Sequence, residues 1–365
     1  KEKKKTLAPK LHSLSTLQSK ANKKWKYSPT ETLETVQSLY EKKVVSYPRT
    51  SCQYITKNEF DYIVDHVEDY KELLGVDVDT SRKEIRKRYV NDSEVGEHYA
   101  IVPTEIIADM DDLNEREKHI YKEILASAVA MFAPDYEYEQ TKIEIDVNGI
   151  VLGAKGKVEL HSGWKKIFIE EEKEDNTVFP TLSEGDKCSV IIKTKKGMTK
   201  PPKLYTEGEL INVMKNAGRG VEDEEAQKIL KENEGIGTEA TRGSIIETLK
   251  QQNYIKISKN TVKVTEKGEI LCKAVEGSLL ASPEMTAKWE EYLSKIGKGE
   301  RTQQGFLQNI EKFLYKLVED SKKTISKLDD DIENLRESSR VGECPSCDGG
   351  SIEDRGNFYG CTNYS

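Results

Sequence analysis

Val44-Val45-Ser46-Tyr47-Pro48-Arg49-Thr50-Ser51 is a short apolar run that ends in a proline-stiffened turn. Proline removes an amide donor and biases Tyr47 before it toward an extended backbone. A helix signal stands on each side. Upstream, Ser28-Pro29-Thr30-Glu31 is a capping box with proline at the first helical position, followed by Leu33, Val36, Leu39 and Tyr40 at helical spacing. The spacing predicts an amphipathic helix over 29–43. Downstream, Thr56-Lys57-Asn58-Glu59 opens a second helix with Phe60, Ile63, Val64 and Val67 on one face. A tyrosine is thus presented on a stiff turn between two helices.

Working outward, a helix from about Asn114 to Phe132 follows an Asp-rich turn. From Tyr138 to Ile192 the apolar period changes to two. Thr141–Val147, Val151–Ala154, Lys157–Leu160, Lys165–Glu170 and Lys187–Thr194 read as short strands of a barrel or strongly bent sheet. Helices return over 204–325, where Thr206-Glu207-Gly208-Glu209 is a third capping box ahead of Leu210, Val213 and Met214. Inside that stretch, Thr241–Gln251 reads as a helix, Tyr254–Ser258 and Thr261–Thr265 as a hairpin, and Glu266 restarts a helix. Helix, hairpin, helix is the outline of a winged-helix unit, a frame used both on nucleic acid and for plain packing. The expected class is α+β multidomain. It comprises a mainly helical domain 1–137 carrying Tyr47, a β-rich arch 138–203, a winged-helix-like helical domain 204–328, a linker 329–342 and a partial zinc ribbon 343–365.

The chain has 365 residues, enough for two or three domains. Its 24 Gly and 10 Pro exclude a collagen-like or low-complexity chain. The most apolar stretch, Ile124–Ala133, is far below the ~20 residues needed to span a bilayer. No apolar core follows Lys1–Lys5 as a secretory signal requires. Six cysteines suit a reducing setting, so the expectation is a cytoplasmic protein with no membrane partner. The formal net charge of -8 argues against nucleic acid only if charge is spread evenly. It is not: residues 1–26 hold nine Lys and one Glu, and Lys193–Lys203 holds five Lys and no acid.

Tyr47 with Arg49 is the sharpest candidate for chemistry. A phenol with a reference pKa of ~10 attacks poorly unless cations stabilise the phenolate or the phosphate it attacks. Arg49, two residues on across a rigid proline, has the bidentate fork that a phosphate needs. The bland alternative is a half-buried turn tyrosine beside a surface arginine. At the far end, Cys344-Pro345-Ser346-Cys347 and Cys361 make three-quarters of a zinc ribbon. Zn²⁺ on three thiolates is weaker than on four, and a disordered tail is the expected state. Cys188 and Cys272 read as isolated core residues, and Cys52 as a solitary thiol near Tyr47.

Ser-Tyr-Pro-Arg-Thr at 46–50 resembles the active-site segment of type IA DNA topoisomerases, specifically the topoisomerase III group. Five further blocks are similar to that family in family order. They are Leu14–Asn22 with Thr32–Glu41, His98-Tyr99-Ala100-Ile101-Val102-Pro103-Thr104, Pro202–Glu207, Gly235-Ile236-Gly237-Thr238-Glu239-Ala240-Thr241-Arg242, and Ser282–Glu290. The resemblance implies an isomerase that cleaves single-stranded DNA through a 5′-phosphotyrosine, passes a strand and religates, working as a monomer without ATP. It implies that Tyr47 is the nucleophile, Arg49 a phosphate-binding and DNA-contacting residue, and His98 a group at the scissile phosphate. Thr238, Thr241 and Arg242 would contact DNA from a turn opening a helix, with capping as the plainer role for the threonines.

Two departures stand out. The family has Asp-Ser after Tyr-Pro-Arg-Thr, whereas Ser51-Cys52 stands here. The family's acidic Toprim domain, which holds Mg²⁺, has no counterpart in residues 1–46. The expectation is therefore a piece of a longer enzyme, cut at both ends and inactive without Toprim. The alternative is a non-catalytic single-stranded-DNA-binding fragment or a degenerate paralogue. A zinc-ribbon interaction protein would explain only Cys344–Cys361.

Overall fold

The computed structural model describes residues 1–168, 178–187, 189, 191, 193–221, 223–354 and 358–364. The chain divides into two compact units, residues 1–21 with 31–203 and residues 22–30 with 204–365.

The first unit opens with strand β1, Glu2–Thr6, and reaches helix α1, Leu14–Trp25, of which residues 14–21 belong to this unit. Helices α2, Pro29–Glu41, and α3, Lys57–Leu74, flank the tyrosine turn as the capping boxes predict. Thr56 and Glu59 cap α3 reciprocally, and Gly75 ends it in the left-handed conformation. Helix α4, Glu115–Ala130, is the core of the unit: Ile120, Ile124, Leu125 and Val129 are fully buried. Each such side chain contributes about 1.5–3 kcal/mol of transfer free energy. Phe132, just past α4, meets Phe60 of α3 with ring centroids 5.6 Å apart. Glu117 ties α4 to α2, accepting from Ser38 Oγ at 2.7 Å and from Lys42 Nζ at 2.9 Å.

The sheet of this unit differs from the expected insert. Strands β2, Tyr136–Val147, and β3, Ile150–His161, form one long hairpin, and the basic arm β1 pairs along β2 in the order β1-β2-β3. Val151–Ala154 and Lys157–Leu160 are one strand, because the pairing with β2 runs unbroken through Gly156, opposite Thr141. Asn148 and Gly149 take positive φ at the tip, the two-residue turn such a hairpin prefers. The expected strand Lys165–Glu170 starts instead in a 3-10 turn, Gly163–Lys166, and its last two positions lie outside the described residues. Gly163 sits at φ 49 with space for no Cβ, which would lie 2.3 Å from the Asp135 carbonyl oxygen. In Lys187–Thr194 the described positions are not in strand, and Cys188, Val190 and Ile192 lie outside the described residues.

The second unit holds α5, Glu207–Lys215; α6, Glu224–Glu232; and α7, Arg242–Gln251. The hairpin β4, Ile255–Ser258, and β5, Thr261–Val264, leads into α8, Glu266–Val275. Lys259 and Asn260 turn it with φ of 50 and 60. Helices α9, Pro283–Gly297, and α10, Gln303–Ile325, follow. Val221, Ala226, Leu230 and Ala287 make a small core between α6 and α9, and Trp289 meets Phe306 and Phe313 of α10 edge-on. Residues 329–342, read as a linker, contain helix α11, Asp329–Ser339. The C-terminal residues, read as a disordered tail, build a three-stranded antiparallel sheet of β6, Arg340–Glu343; β7, Ser351–Asp354; and β8, Tyr359–Cys361. Cys272, read as core, is exposed. No helix among the described residues is long and apolar enough to cross a membrane.

Candidate functional site

The tyrosine turn is sutured to the segment 98–104 along its length. Val45 bridges Pro103 antiparallel, and the Ser46 amide donates to the Val102 carbonyl at 2.9 Å. The Ser46 hydroxyl donates to the Ala100 carbonyl at 2.8 Å and accepts from the Val102 amide at 2.9 Å. Thr50 Oγ1 donates to the His98 carbonyl at 3.3 Å, and the Thr50 carbonyl accepts from the Leu14 amide at 3.0 Å. Ser46, Pro48 and Thr50 are buried while Tyr47 is half-buried and Arg49 exposed. Proline biases Tyr47 before it toward an extended backbone, and a bend follows at Pro48 and Arg49.

The result is an open cleft of about 480 Å³ lined by Tyr40, Lys43, Ser46, Tyr47, His98 and Tyr99 among others. The Tyr47 and exposed His98 ring centroids lie 4.3 Å apart, tilted 39°, and Tyr40 meets Tyr47 edge-on with centroids 5.6 Å apart. Arg49 is held through Nη1, which donates to Gln37 Oε1 of α2 at 2.8 Å, and its guanidinium otherwise faces solvent. Burial pushes the Tyr99 hydroxyl up, with the Glu59 charge adding to it. Tyr62 and Tyr70, raised chiefly by burial, donate to the Pro103 and Thr104 carbonyls and brace the segment from behind. Burial also raises the Cys52 thiol, whose Sγ lies 3.4 Å from the Tyr54 carbonyl.

Thr238, Thr241 and Arg242 come together in the second unit. Thr241 Oγ1 accepts from the Thr238 amide at 2.8 Å, and the two hydroxyls are 3.2 Å apart on an exposed turn. Arg242 departs from the expected direct DNA contact. It is 1% exposed and spends its fork on the carbonyls of Ile236, Glu234 and Gly237 and on the Glu239 carboxylate. A guanidinium so engaged organises the turn rather than facing a ligand. Gly235 at φ 83 lets the same turn close, since a Cβ there would lie 2.1 Å from the Met214 carbonyl.

The three C-terminal cysteine sulfurs lie within 4.8 Å of one another, with Cys347 and Cys361 at 3.4 Å. The Ser346 amide donates to Cys344 Sγ and lowers that thiol, while sulfur neighbours push Cys347 up to about 11. Converging thiols with amide donors on sulfur fit a soft divalent ion such as Zn²⁺. Among the described residues this is the only grouping of three or more such ligands. Sequence reasoning missed Ser46, Thr50, Tyr40, Gln37 and Glu239. Buried serine and threonine within an apolar run were the available signal for the first two.

The fold resembles that of type IA topoisomerases, and comparison with known proteins gives the family. Residues 1–308 match the family model described as DNA topoisomerase, and the chain belongs to that family. It is 33% identical over 364 residues to DNA topoisomerase 3 of Bacillus licheniformis, covering 94% of this chain and 48% of that protein. DNA topoisomerase 3 of Bacillus subtilis is 33% identical over 359 residues, with the same coverage. DNA topoisomerase 1 of Alkalihalophilus pseudofirmus is 34% identical over 369 residues, covering 98% of this chain and 51% of that protein. The chain thus spans about half the length of the curated relatives it matches. The full-length topoisomerase I of Thermotoga maritima shares the fold, with a TM-score of 0.58 and 20% identity, covering all of this chain and 57% of that one.

Proposed function

We propose that this chain supplies the tyrosine-bearing and DNA-holding part of a type IA topoisomerase of the topoisomerase III kind, acting on single-stranded DNA. Tyr47 Oη attacks a backbone phosphorus, the bond from phosphorus to the 3′ oxygen breaks, and the phenol's proton passes to solvent or the departing oxygen. A 5′-phosphotyrosine and a free 3′ hydroxyl result, and after strand passage that hydroxyl reverses the ester. The observation that carries this reading is Tyr47 presented beside His98 in an open cleft, by a turn whose alternate residues are buried. His98 steadies the phosphate, and Arg49, swinging from Gln37, neutralises the charge that develops on it. Thr238 and Thr241 contact the backbone of the strand, and Arg242 holds their turn.

The hairpin between α7 and α8 supports the winged-helix reading, and the β6–β8 sheet supports the zinc-ribbon reading. Cys344, Cys347 and Cys361 would hold Zn²⁺, which crosslinks the ribbon as a structural ion. By the family resemblance, Mg²⁺ would be held by a Toprim domain. In the full-length protein, Tyr47→Phe abolishes trapping of a covalent DNA adduct after denaturant quench; an adduct that persists refutes the assignment. A non-catalytic strand-binding role is the second reading, favoured by Ser51 in place of the family's aspartate. Adduct formation by the parent enzyme separates the two.

A further inference from the structure

Arg82-Lys83-Glu84-Ile85-Arg86-Lys87-Arg88 packs five cations and one acid into seven residues of the first unit. The segment has no helix or strand of its own, yet its backbone and three of its side chains are tied down. Arg82 pairs with the buried Asp135 at 2.8 Å. Arg88 donates through Nε and Nη2 to the Ala8 carbonyl at 3.1 and 2.9 Å, which the Tyr89 hydroxyl also reaches. Arg86 lies over the Tyr89 ring at 4.9 Å, with Nη2 buried and lacking an acceptor. Lys83 and Lys87 are exposed, with no ion-pair partner among the described residues. The acid near Lys83, Glu68, is already taken by Lys71 and Thr80. Four cations here, Lys83, Arg86, Lys87 and Arg88, therefore lack a paired carboxylate among the described residues. Close like charges repel at this density, and a polyanion relieves them.

The segment also continues the tyrosine turn. The Ile55 amide donates to the Tyr89 carbonyl at 2.8 Å, the Asn91 amide returns to the Ile55 carbonyl at 3.1 Å, and Ile55 bridges Val90 in parallel. The Ala100 amide donates to the Tyr54 carbonyl at 2.8 Å, so this ladder adjoins the segment carrying His98.

We propose that Lys83, Arg86, Lys87 and Arg88 form a track for the phosphodiester backbone of the single strand beyond the Tyr47 cleft. This deepens the proposed function and rests on it. The grip is on phosphates alone, so it is indifferent to base sequence. Fixed guanidiniums lower the ordering cost of binding, and the two free ammonium heads adapt to phosphate spacing.

The test is fluorescence anisotropy of a labelled oligothymidylate over a salt series, using the whole chain and its variants. Two phosphate contacts contribute about 0.7 each to the slope of log affinity against log salt, so Lys83→Gln with Lys87→Gln flattens it by about 1.4. At the low-salt end affinity falls about five- to tenfold. Lys83→Arg with Lys87→Arg restores both. Lys312→Gln with Lys316→Gln, exposed lysines of α10, removes the same charge without effect. Equal slopes in parent and double variant overturn the track while leaving the proposed function standing. So does an equal loss on removing Lys312 and Lys316, which makes the effect one of net charge. Loss of binding to anionic vesicles with oligonucleotide binding intact assigns the patch to a lipid surface and overturns it. Absence of any oligonucleotide binding by the parent chain brings down both readings together.

Discussion

Ser46→Ala tests whether the tyrosine is placed by its sutures. The Ser46 side chain is 5% exposed and makes two hydrogen bonds to the facing segment, one given to Ala100 and one taken from Val102. Alanine fits the space but leaves a buried carbonyl and a buried amide without that partner. Each unsatisfied group costs about 1–3 kcal/mol, so local opening becomes easier by about 2–4 kcal/mol, allowing for the carbonyl's second lone pair. The backbone bond from the Ser46 amide to Val102 survives, so the turn loosens rather than unfolds. Because the chain has two compact units, one global unfolding free energy is not well defined, and amide hydrogen exchange is the suitable assay. At 1.4 kcal/mol per decade, protection of the Val102 amide falls about 30- to 700-fold, while amides of α9 and α10 are unchanged. Under the proposed function the adduct yield drops with it, since a displacement of about 1 Å at a nucleophile costs on the order of a hundredfold. Val102 protection within threefold of the parent refutes the suture argument.

Two further outcomes follow from buried charge. Arg242→Lys keeps the charge but loses the fork that reaches three carbonyls and Glu239. It should destabilise the second unit by about 3 kcal/mol, read from Trp289 fluorescence in a urea titration, and an unchanged midpoint would count against the positioning role. Glu117 sets a pH dependence. Burial alone would raise its carboxyl, but bonds from Lys42 and Ser38 and the Asn114 amide outweigh that and hold it below its ordinary value of 4.5. A depressed folded-state value means stability fully present above about 4.5 and lost as pH falls through the folded value. Amide protection in α2 and α4 should therefore decline below that pH, and Glu117→Gln should flatten the decline. A parent and variant with parallel acid profiles would show that the pair carries no linkage.

Capping boxes made three helix starts legible, because a serine, threonine or asparagine with glutamate three residues on satisfies orphan amides wherever it occurs. The hairpin tips at Asn148-Gly149 and Lys259-Asn260 were legible for a similar local reason. What failed was long-range. Nothing local marks Glu2–Thr6 as a strand, since its pattern is solvated on both faces and its partner lies more than a hundred residues away. The break expected inside β3 was a local glycine signal overruled by pairing with β2.

The candidate site divides in the same way. Residue types and their order, Tyr47 and Arg49 across a proline, His98 ahead of a buried run, three cysteines at ribbon spacing, determined by themselves which chemistry is available. Only the tertiary structure decided which groups face it. It turned Arg242 inward, because a buried turn with three carbonyls converging needs a donor fork more than the surface needs a cation. It raised the Cys52 thiol and the Tyr62 and Tyr99 phenols through burial. It also set the Tyr47 and His98 ring centroids 4.3 Å apart across 51 positions of chain, by hydrogen bonds from Ser46 and Thr50 that no periodicity announces.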